Sequence, residues 1–114
     1  MEPRRVQLSR KRGWRMPANT AKIDRSTRWG NPFRVGDSCT HPVSGKSVLV
    51  RNIEHAIALF ALFLSTPAAS GVVEAAKREL VGKNLACWCK AGEACHGDIL
   101  LQLTSEPREI MGAA

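Results

Sequence analysis

The apolar positions of this chain alternate over short stretches and recur with helical spacing over longer ones, in an order that predicts an α/β domain. The predicted elements, in chain order, are strands at 5–8 and 20–24, a hairpin within 40–50, helices at 53–64 and 72–81, a strand at 85–89 and a helix at 97–103. Because a strand, two helices and another strand follow one another, we expect a right-handed parallel crossover. The predicted fold is therefore a small Rossmann-like domain of two or three layers, with a short, mainly parallel sheet and about three helices.

Length and charge limit the kinds of partner that the protein can have. The 114 residues make one predicted domain, with a basic N-terminal segment at 1–19 and a loose C-terminal tail at 106–114. Residues 1–34 hold ten Lys and Arg against two Asp and Glu, whereas residues 35–114 hold seven against eight. This asymmetry predicts a nucleotide or nucleic acid bound by basic residues between positions 4 and 34, although solvated surface charge is the simpler interpretation.

Membrane association and secretion are not expected. The longest apolar run, 56–64, is nine residues long and too short to span a bilayer, and no apolar stretch follows the Arg-rich start as in a secretory signal. We therefore expect a cytoplasmic protein. In a reducing compartment, four cysteines indicate a metal site, a reactive thiol or core filling rather than disulfides.

The segment 87–98, Cys-Trp-Cys-Lys-Ala-Gly-Glu-Ala-Cys-His-Gly-Asp, is the richest in chemistry, and it lies between a predicted strand and a predicted helix. Cys95 and His96 come where a helix N-terminus favours negative charge, which lowers the pKa of a thiol. In one interpretation Cys95 or Cys89 is a nucleophile, His96 is its general base and Asp98 caps the helix or orients the histidine. In a second, a structural zinc is held by Cys87, Cys89, Cys95 and His96, with Cys39 or His41 as further ligands. In a third, Cys87 and Cys89 are small core residues.

A second group of unusual residues lies at 25–33 and combines arginines, a tryptophan and an amide. In the binding interpretation Arg25 and Arg28 hold phosphate, while Trp29 and Asn31 shape or contact a base. In the structural interpretation Trp29 packs in the core and Asn31 satisfies backbone groups in a turn. Because this loop follows a strand of the same predicted sheet, we expect it to lie at the edge that also carries the cysteines.

Three motifs of the chain belong together: Trp-Gly-Asn-Pro-Phe at 29–33, Cys-Trp-Cys at 87–89 and Cys-His-Gly-Asp at 95–98. They resemble the motifs of a small domain-of-unknown-function family that is widespread in phages and bacteria. The resemblance covers about residues 20–104 and implies a compact α/β domain from phage or prophage genes, without a settled activity. The motif residues that it singles out are Trp29, Asn31, Cys89, Cys95, His96 and Asp98. The Arg-rich start and the segment 36–46 depart from the family pattern.

The leading functional hypothesis is a domain that binds a nucleotide or nucleobase-like ligand between the loops at 29–33 and 89–98. If the domain is an enzyme, it is a transferase or hydrolase of nucleotides or modified bases that acts through the Cys/His centre. The alternative is a non-enzymatic accessory protein that is stabilised by zinc and binds nucleic acid or a host factor.

Overall fold

Five strands and three α-helices make up the described part of the protein. The structure is a computed structural model that describes residues 2–90 and 92–105, so the predicted tail at 106–114 lies outside the described residues. The elements are β1 (Arg5–Gln7), β2 (Thr20–Lys22), β3 (Ser38–Thr40), β4 (Ser47–Leu49), α1 (Ile53–Leu64), a 3₁₀ turn (Pro67–Ala69), α2 (Ser70–Glu79), β5 (Asn84–Cys87) and α3 (His96–Ser105). The predicted fold class, a small α/β domain with a mainly parallel sheet, is confirmed.

The main sheet has the order β1-β5-β2, with both outer strands parallel to β5. Arg5 pairs with Leu85 on one side of the central strand, and Ala21 pairs with Leu85 on the other. Leu85 and Ala86 are both fully buried, and because adjacent strand residues point to opposite faces, both faces of β5 are covered. The crossover from β2 to β5 runs through α1 and α2, and it brings the carboxyl ends of the three strands to one edge.

Helix α1 begins and ends where its sequence predicts. Asn52 caps the N-terminus, with its Oδ1 accepting from the His55 backbone N–H at 2.8 Å. The His55 ring has a structural role, because its Nδ1 accepts from the Arg51 N–H at 3.1 Å. In the described ranges, no single helix is long and apolar enough to cross a membrane; Ile53–Leu64 and Pro67–Glu79 pass that test only as a pair bent by 85°.

Most element bounds differ from the prediction by one or two residues, and the differences at α2 and β5 have an identifiable cause. Helix α2 covers 70–79 instead of 72–81, because the 3₁₀ turn that starts at Pro67 leads directly into it, and Gly82 follows with a positive φ of 76°. Strand β5 ends at Cys87, two residues early, because the Trp88 side chain turns to Asp24 at the end of the neighbouring strand. The predicted hairpin is present as the antiparallel pair β3–β4.

Candidate functional site

A cavity of about 460 Å³ lies at the carboxyl edge of the parallel sheet. In open α/β sheets this edge is where ligands usually bind. Three parts of the chain line the cavity: the segment after β2, the start of α1, and the segment that joins β5 to α3. The lining residues are Asp24, Arg25, Ser26, Asn31, Val35, Ile53, Ala56, Ile57, Cys87, Trp88, Cys89, Ala94, Cys95 and His96.

The two loops that the sequence singles out therefore meet at one cavity, with Asn31 and His96 both in its wall. Asn31 is buried and its amide is engaged by the protein itself. Its Nδ2 donates to the Ala56 carbonyl at 3.1 Å, and its Oδ1 accepts from the Phe33 N–H at 2.9 Å. Asn31 thus joins the loop to helix α1, which matches the structural interpretation of the residue.

Three thiols form a cluster on the inner wall of the cavity. The Sγ atoms of Cys87, Cys89 and Cys95 all lie within 4.8 Å of one another, and those of Cys87 and Cys95 are 3.1 Å apart. The hydrogen bond from Cys87 lowers the pKa of the Cys95 thiol against the effect of burial, with help from His96 and the Gly97 N–H. The pKa of Cys87 is raised by its hydrogen bond to Cys95 and by burial, and burial likewise raises that of Cys89. Of the three thiols, Cys95 is therefore the one whose ionised form the cluster stabilises.

The His96 ring is held in one orientation at the start of α3. Its Nε2 lies 2.8 Å from the Ile23 carbonyl oxygen, and because that oxygen only accepts, Nε2 carries a hydrogen. Its Nδ1 then faces the Cys95 Sγ at 3.8 Å. The ring also packs edge-on against Phe60 at 5.7 Å between centroids. The roles of Cys95 or Cys89 as nucleophile and of His96 as base stay predictions.

Asp98 does not orient His96, contrary to one of its expected roles. Its carboxylate lies 3.2 Å from Arg5 Nη1 and is half exposed, on the first turn of α3. Arg5 also donates to the carbonyls of Lys90 at 3.0 Å and Glu93 at 2.7 Å. A single guanidinium from β1 therefore fixes the loop that carries the cysteines, and Asp98 contributes to that fixation.

The two arginines that the sequence assigns to phosphate are separated. Arg25 lines the cavity and donates to the Phe33 carbonyl at 3.2 Å. Arg28 does not line it: its guanidinium forms an ion pair with Glu79 and lies 4.5 Å above the Trp29 ring. Trp29 is buried in the core and borders a different hollow of about 220 Å³. Direct contact of Arg28 and Trp29 with a ligand in this cavity is therefore not supported.

Arg34 is the arginine that lies near Arg25. The two residues line a hollow of about 270 Å³, which shares Arg25 and Asn31 with the main cavity. The Arg34 guanidinium has no hydrogen bond or ion pair within residues 2–90 and 92–105. Sequence reasoning included Arg34 only within the basic region 4–34 and did not assign it to the cavity. The available signal was its position directly after the Trp-Gly-Asn-Pro-Phe motif.

Trp88 and Asp24 form a rim that sequence reasoning also missed. Trp88 Nε1 donates to Asp24 Oδ2 at 2.8 Å, and the Arg10 guanidinium lies 4.3 Å above the indole ring. Burial opposes ionisation of Asp24, but hydrogen bonds from Ser26 and Trp88 and the charge of Lys22 prevail, so its pKa is lowered. The rim places the basic segment after β1 beside the cavity mouth.

Cys39 and His41 lie elsewhere. Cys39 is in β3 of the hairpin, and it is not among the three clustered thiols found in the described residues. The His41 Nδ1 accepts from the N–H groups of Val43 and Ser44, at 3.2 and 3.1 Å, which stabilises the hairpin turn. Their recruitment as zinc ligands is therefore not supported by this arrangement.

Fold and site together define a small α/β domain with a cavity at the carboxyl edge of its sheet and a thiol cluster in the cavity wall. The family model described as "Domain of unknown function (DUF4326)" matches residues 6–106. The chain belongs to the DUF4326 family. No curated protein and no solved structure matched the chain.

Proposed function

We propose that the cavity binds a nucleotide or nucleobase-like ligand, which is hydrolysed or undergoes group transfer at the Cys/His centre. The observation that supports this most is that the arginine-bearing loop and the cysteine-bearing loop line one cavity of about 460 Å³. Cavities of a few hundred Å³ suit small organic ligands. The chemistry of the wall then decides which class of ligand fits.

The outer wall favours a flat, partly apolar group. Ile53, Ala56 and Ile57 from helix α1 form an apolar face, and Val35 adds to it from the preceding loop. A base could lie against this face, with the polar atoms of the segment 24–26 at its edge.

The hollow beside Arg25 and Arg34 favours a phosphate. Arginine binds phosphate through parallel N–H groups, and two arginines here line a hollow that shares Arg25 and Asn31 with the cavity. In this arrangement a base in the cavity and a phosphate in the hollow belong to one ligand. Arg34 takes the role that the sequence suggests for Arg28.

The inner wall holds the groups that would act on the ligand. His96 Nδ1 and the Cys95 Sγ face each other at 3.8 Å, and both residues line the cavity. The Ile23 carbonyl fixes the histidine through Nε2, so Nδ1 is the nitrogen available for proton transfer.

Calorimetric titration tests ligand binding with a panel of free nucleobases, nucleosides and nucleoside 5′-monophosphates. We expect at least one monophosphate to bind, and Ile57→Trp, which fills the cavity, to abolish binding. Arg25→Ala should weaken the monophosphate more than its nucleoside, whereas the matched control Arg28→Ala should bind as the wild type does. Absence of binding across the panel, or binding that Ile57→Trp leaves unchanged, contradicts the proposal.

Mass analysis of the bound nucleotide after incubation tests the reaction. We expect a hydrolysis or transfer product with the wild type and its loss with His96→Gln, because glutamine keeps an N–H donor for Ile23 but offers no ring nitrogen to move a proton. An unchanged nucleotide in both proteins would limit the function to binding.

A second candidate, a nucleic-acid-binding module, is favoured by Arg10 on the exposed face of Trp88 at the cavity rim. Arg10, Lys11 and Arg12 are consecutive and exposed. A labelled single-stranded DNA would then bind with an affinity that falls steeply with salt. Joint replacement of these three residues by alanine should reduce that salt dependence, while Arg78→Ala should not. This candidate is excluded if the DNA affinity changes neither with salt concentration nor on replacement of these three residues.

The same proposal places the protein in the cytoplasm of a bacterium that carries the phage or prophage genes suggested by the motifs. Cell fractionation with an antibody against the chain tests the location, and recovery from the periplasm or medium would contradict it.

A further inference from the structure

The three clustered thiols are closer together than core filling requires. The Cys87 and Cys95 sulfur atoms are 3.1 Å apart, and the Cys89 sulfur lies within 4.8 Å of both. None of the three is in a disulfide. Cys39, which has the same chemistry, stands apart from them in the hairpin. The grouping therefore needs a reason beyond composition.

Rigid elements hold these sulfur atoms in place. Cys87 is the last residue of the central strand, and Cys95 directly precedes α3. The segment between them is fixed by the Arg5 guanidinium through the carbonyls of Lys90 and Glu93. A site built in this way is largely formed before any ligand arrives, which lowers the entropic cost of binding.

We propose that Cys87, Cys89 and Cys95 bind one Zn²⁺ ion, with a fourth coordination position open to the cavity. Zinc–thiolate bonds of about 2.3 Å place tetrahedral sulfur ligands about 3.8 Å apart. This spacing lies between the 3.1 Å that separates the Cys87 and Cys95 sulfur atoms and the 4.8 Å within which all three sulfur atoms lie. Thiolates are the ligands that select zinc over magnesium or calcium.

The number of protein ligands distinguishes a structural zinc from a reactive one. Structural sites use four protein ligands, whereas catalytic sites use three and keep one position for water or substrate. Within the residues that the structure describes, the group contains three ligand residues and His96 is not a fourth. Because all three cysteines line the cavity, the open position can be filled from it.

The metal also changes which group acts on the proposed ligand. A Cys95 thiolate that binds zinc is no longer the nucleophile, and zinc instead supplies a bound water of lowered pKa. This consequence rests on the function proposed above, whereas metal binding itself does not. His96 then acts beside the metal instead of deprotonating Cys95.

Metal analysis of the full chain tests the site. The protein is purified under reducing conditions, freed of metal with a chelator and reloaded with Zn²⁺ or Co²⁺. We expect one Zn²⁺ per chain by elemental analysis and native mass spectrometry. Cys87→Ser, Cys89→Ser and Cys95→Ser should each weaken binding by roughly tenfold or more, since even ligand-supporting residues change metal affinity by that factor. The matched control Cys39→Ser should bind as the wild type does.

A readout that needs no variant guards against misfolded proteins. Co²⁺ bound by the wild type should show a thiolate-to-cobalt charge-transfer band in the near ultraviolet. Zn²⁺ should protect Cys89, the partly exposed thiol of the cluster, from iodoacetamide but should leave the partly exposed Cys39 as reactive as before. The proposal is overturned if the reduced wild type binds no Zn²⁺, if bound Co²⁺ lacks that band, or if Cys39→Ser loses metal as the other variants do. Nucleotide titration of the same samples separates the two proposals, because metal without nucleotide refutes the proposed function alone and nucleotide without metal refutes this site alone.

Discussion

Replacing Asn31 by alanine measures how firmly the loop at 29–33 is joined to helix α1. The amide makes two hydrogen bonds in a buried position, to the Ala56 carbonyl and from the Phe33 N–H. In Asn31→Ala the Phe33 N–H loses its partner within a buried loop, which costs about 1–3 kcal/mol. The Ala56 carbonyl keeps the bond that an α-helix supplies from the residue four positions later, so the second loss is about 1 kcal/mol. The expected destabilisation is about 2–4 kcal/mol.

Urea unfolding followed by circular dichroism measures this loss in the free protein. For a domain of this size it should also lower the melting temperature by about 10 °C or more. Asn52→Ala is the matched control, because it removes one exposed capping bond and should cost about 1 kcal/mol. If Asn31→Ala is no less stable than this control, the Asn31 amide does not hold the loop and is free to contact a ligand.

Three further perturbations test the packing and electrostatics around the cavity. Gly30→Ala should lower the urea midpoint, because a Cβ at residue 30 would lie 2.6 Å from the Arg25 Cα. Gly71→Ala should raise the midpoint, because Gly71 lies in a helix and a Cβ there meets nothing within 4 Å. Equal effects of the two substitutions would refute the steric explanation. Leu85→Ala removes a fully buried side chain from the central strand and should lower the free energy of unfolding by about 2–5 kcal/mol in the same measurement. A decrease of less than about 1 kcal/mol would contradict this packing. Asp24 has a pKa below its ordinary value of 3.8, so its ionised form stabilises the fold above that pH and the contribution is lost as pH falls through the lower, folded-state pKa. Asp24→Asn should therefore be less stable than the wild type at pH 7, and the difference should shrink below pH 3.8; a constant difference would contradict it.

Local patterns predicted the elements, because their causes are local. Helix α1 has an apolar run and the Asn52 cap, and both of its ends were predicted. The end of β5 was placed two residues late, because Trp88 continues the strand-like pattern but bonds with Asp24 across the sheet edge. Whether an aromatic side chain ends a strand in this way depends on a partner 64 residues away.

The same limit applies to the candidate site. The Cys and Trp-Gly-Asn-Pro-Phe motifs located both loops, and parallel-sheet topology brought them together. The identity of the second arginine depended on how the loop turns, so Arg34 lies by Arg25 while Arg28 turns to Glu79. The role of Arg5 in fixing the cysteine-bearing loop could not be predicted from its local sequence, because its hydrogen-bond partners lie 85 to 93 positions further along the chain.

The late position of β5 in the chain has a consequence for biosynthesis. In the described part of the protein, β1 and β2 bond to β5 and not to each other. While a ribosome is still producing the first 83 residues, neither β1 nor β2 has a strand to pair with. Both can pair only after β5, which ends at Cys87, has been synthesised. The nascent chain therefore cannot assemble the three clustered thiols ahead of the sheet, because Cys87 belongs to the strand that completes the sheet.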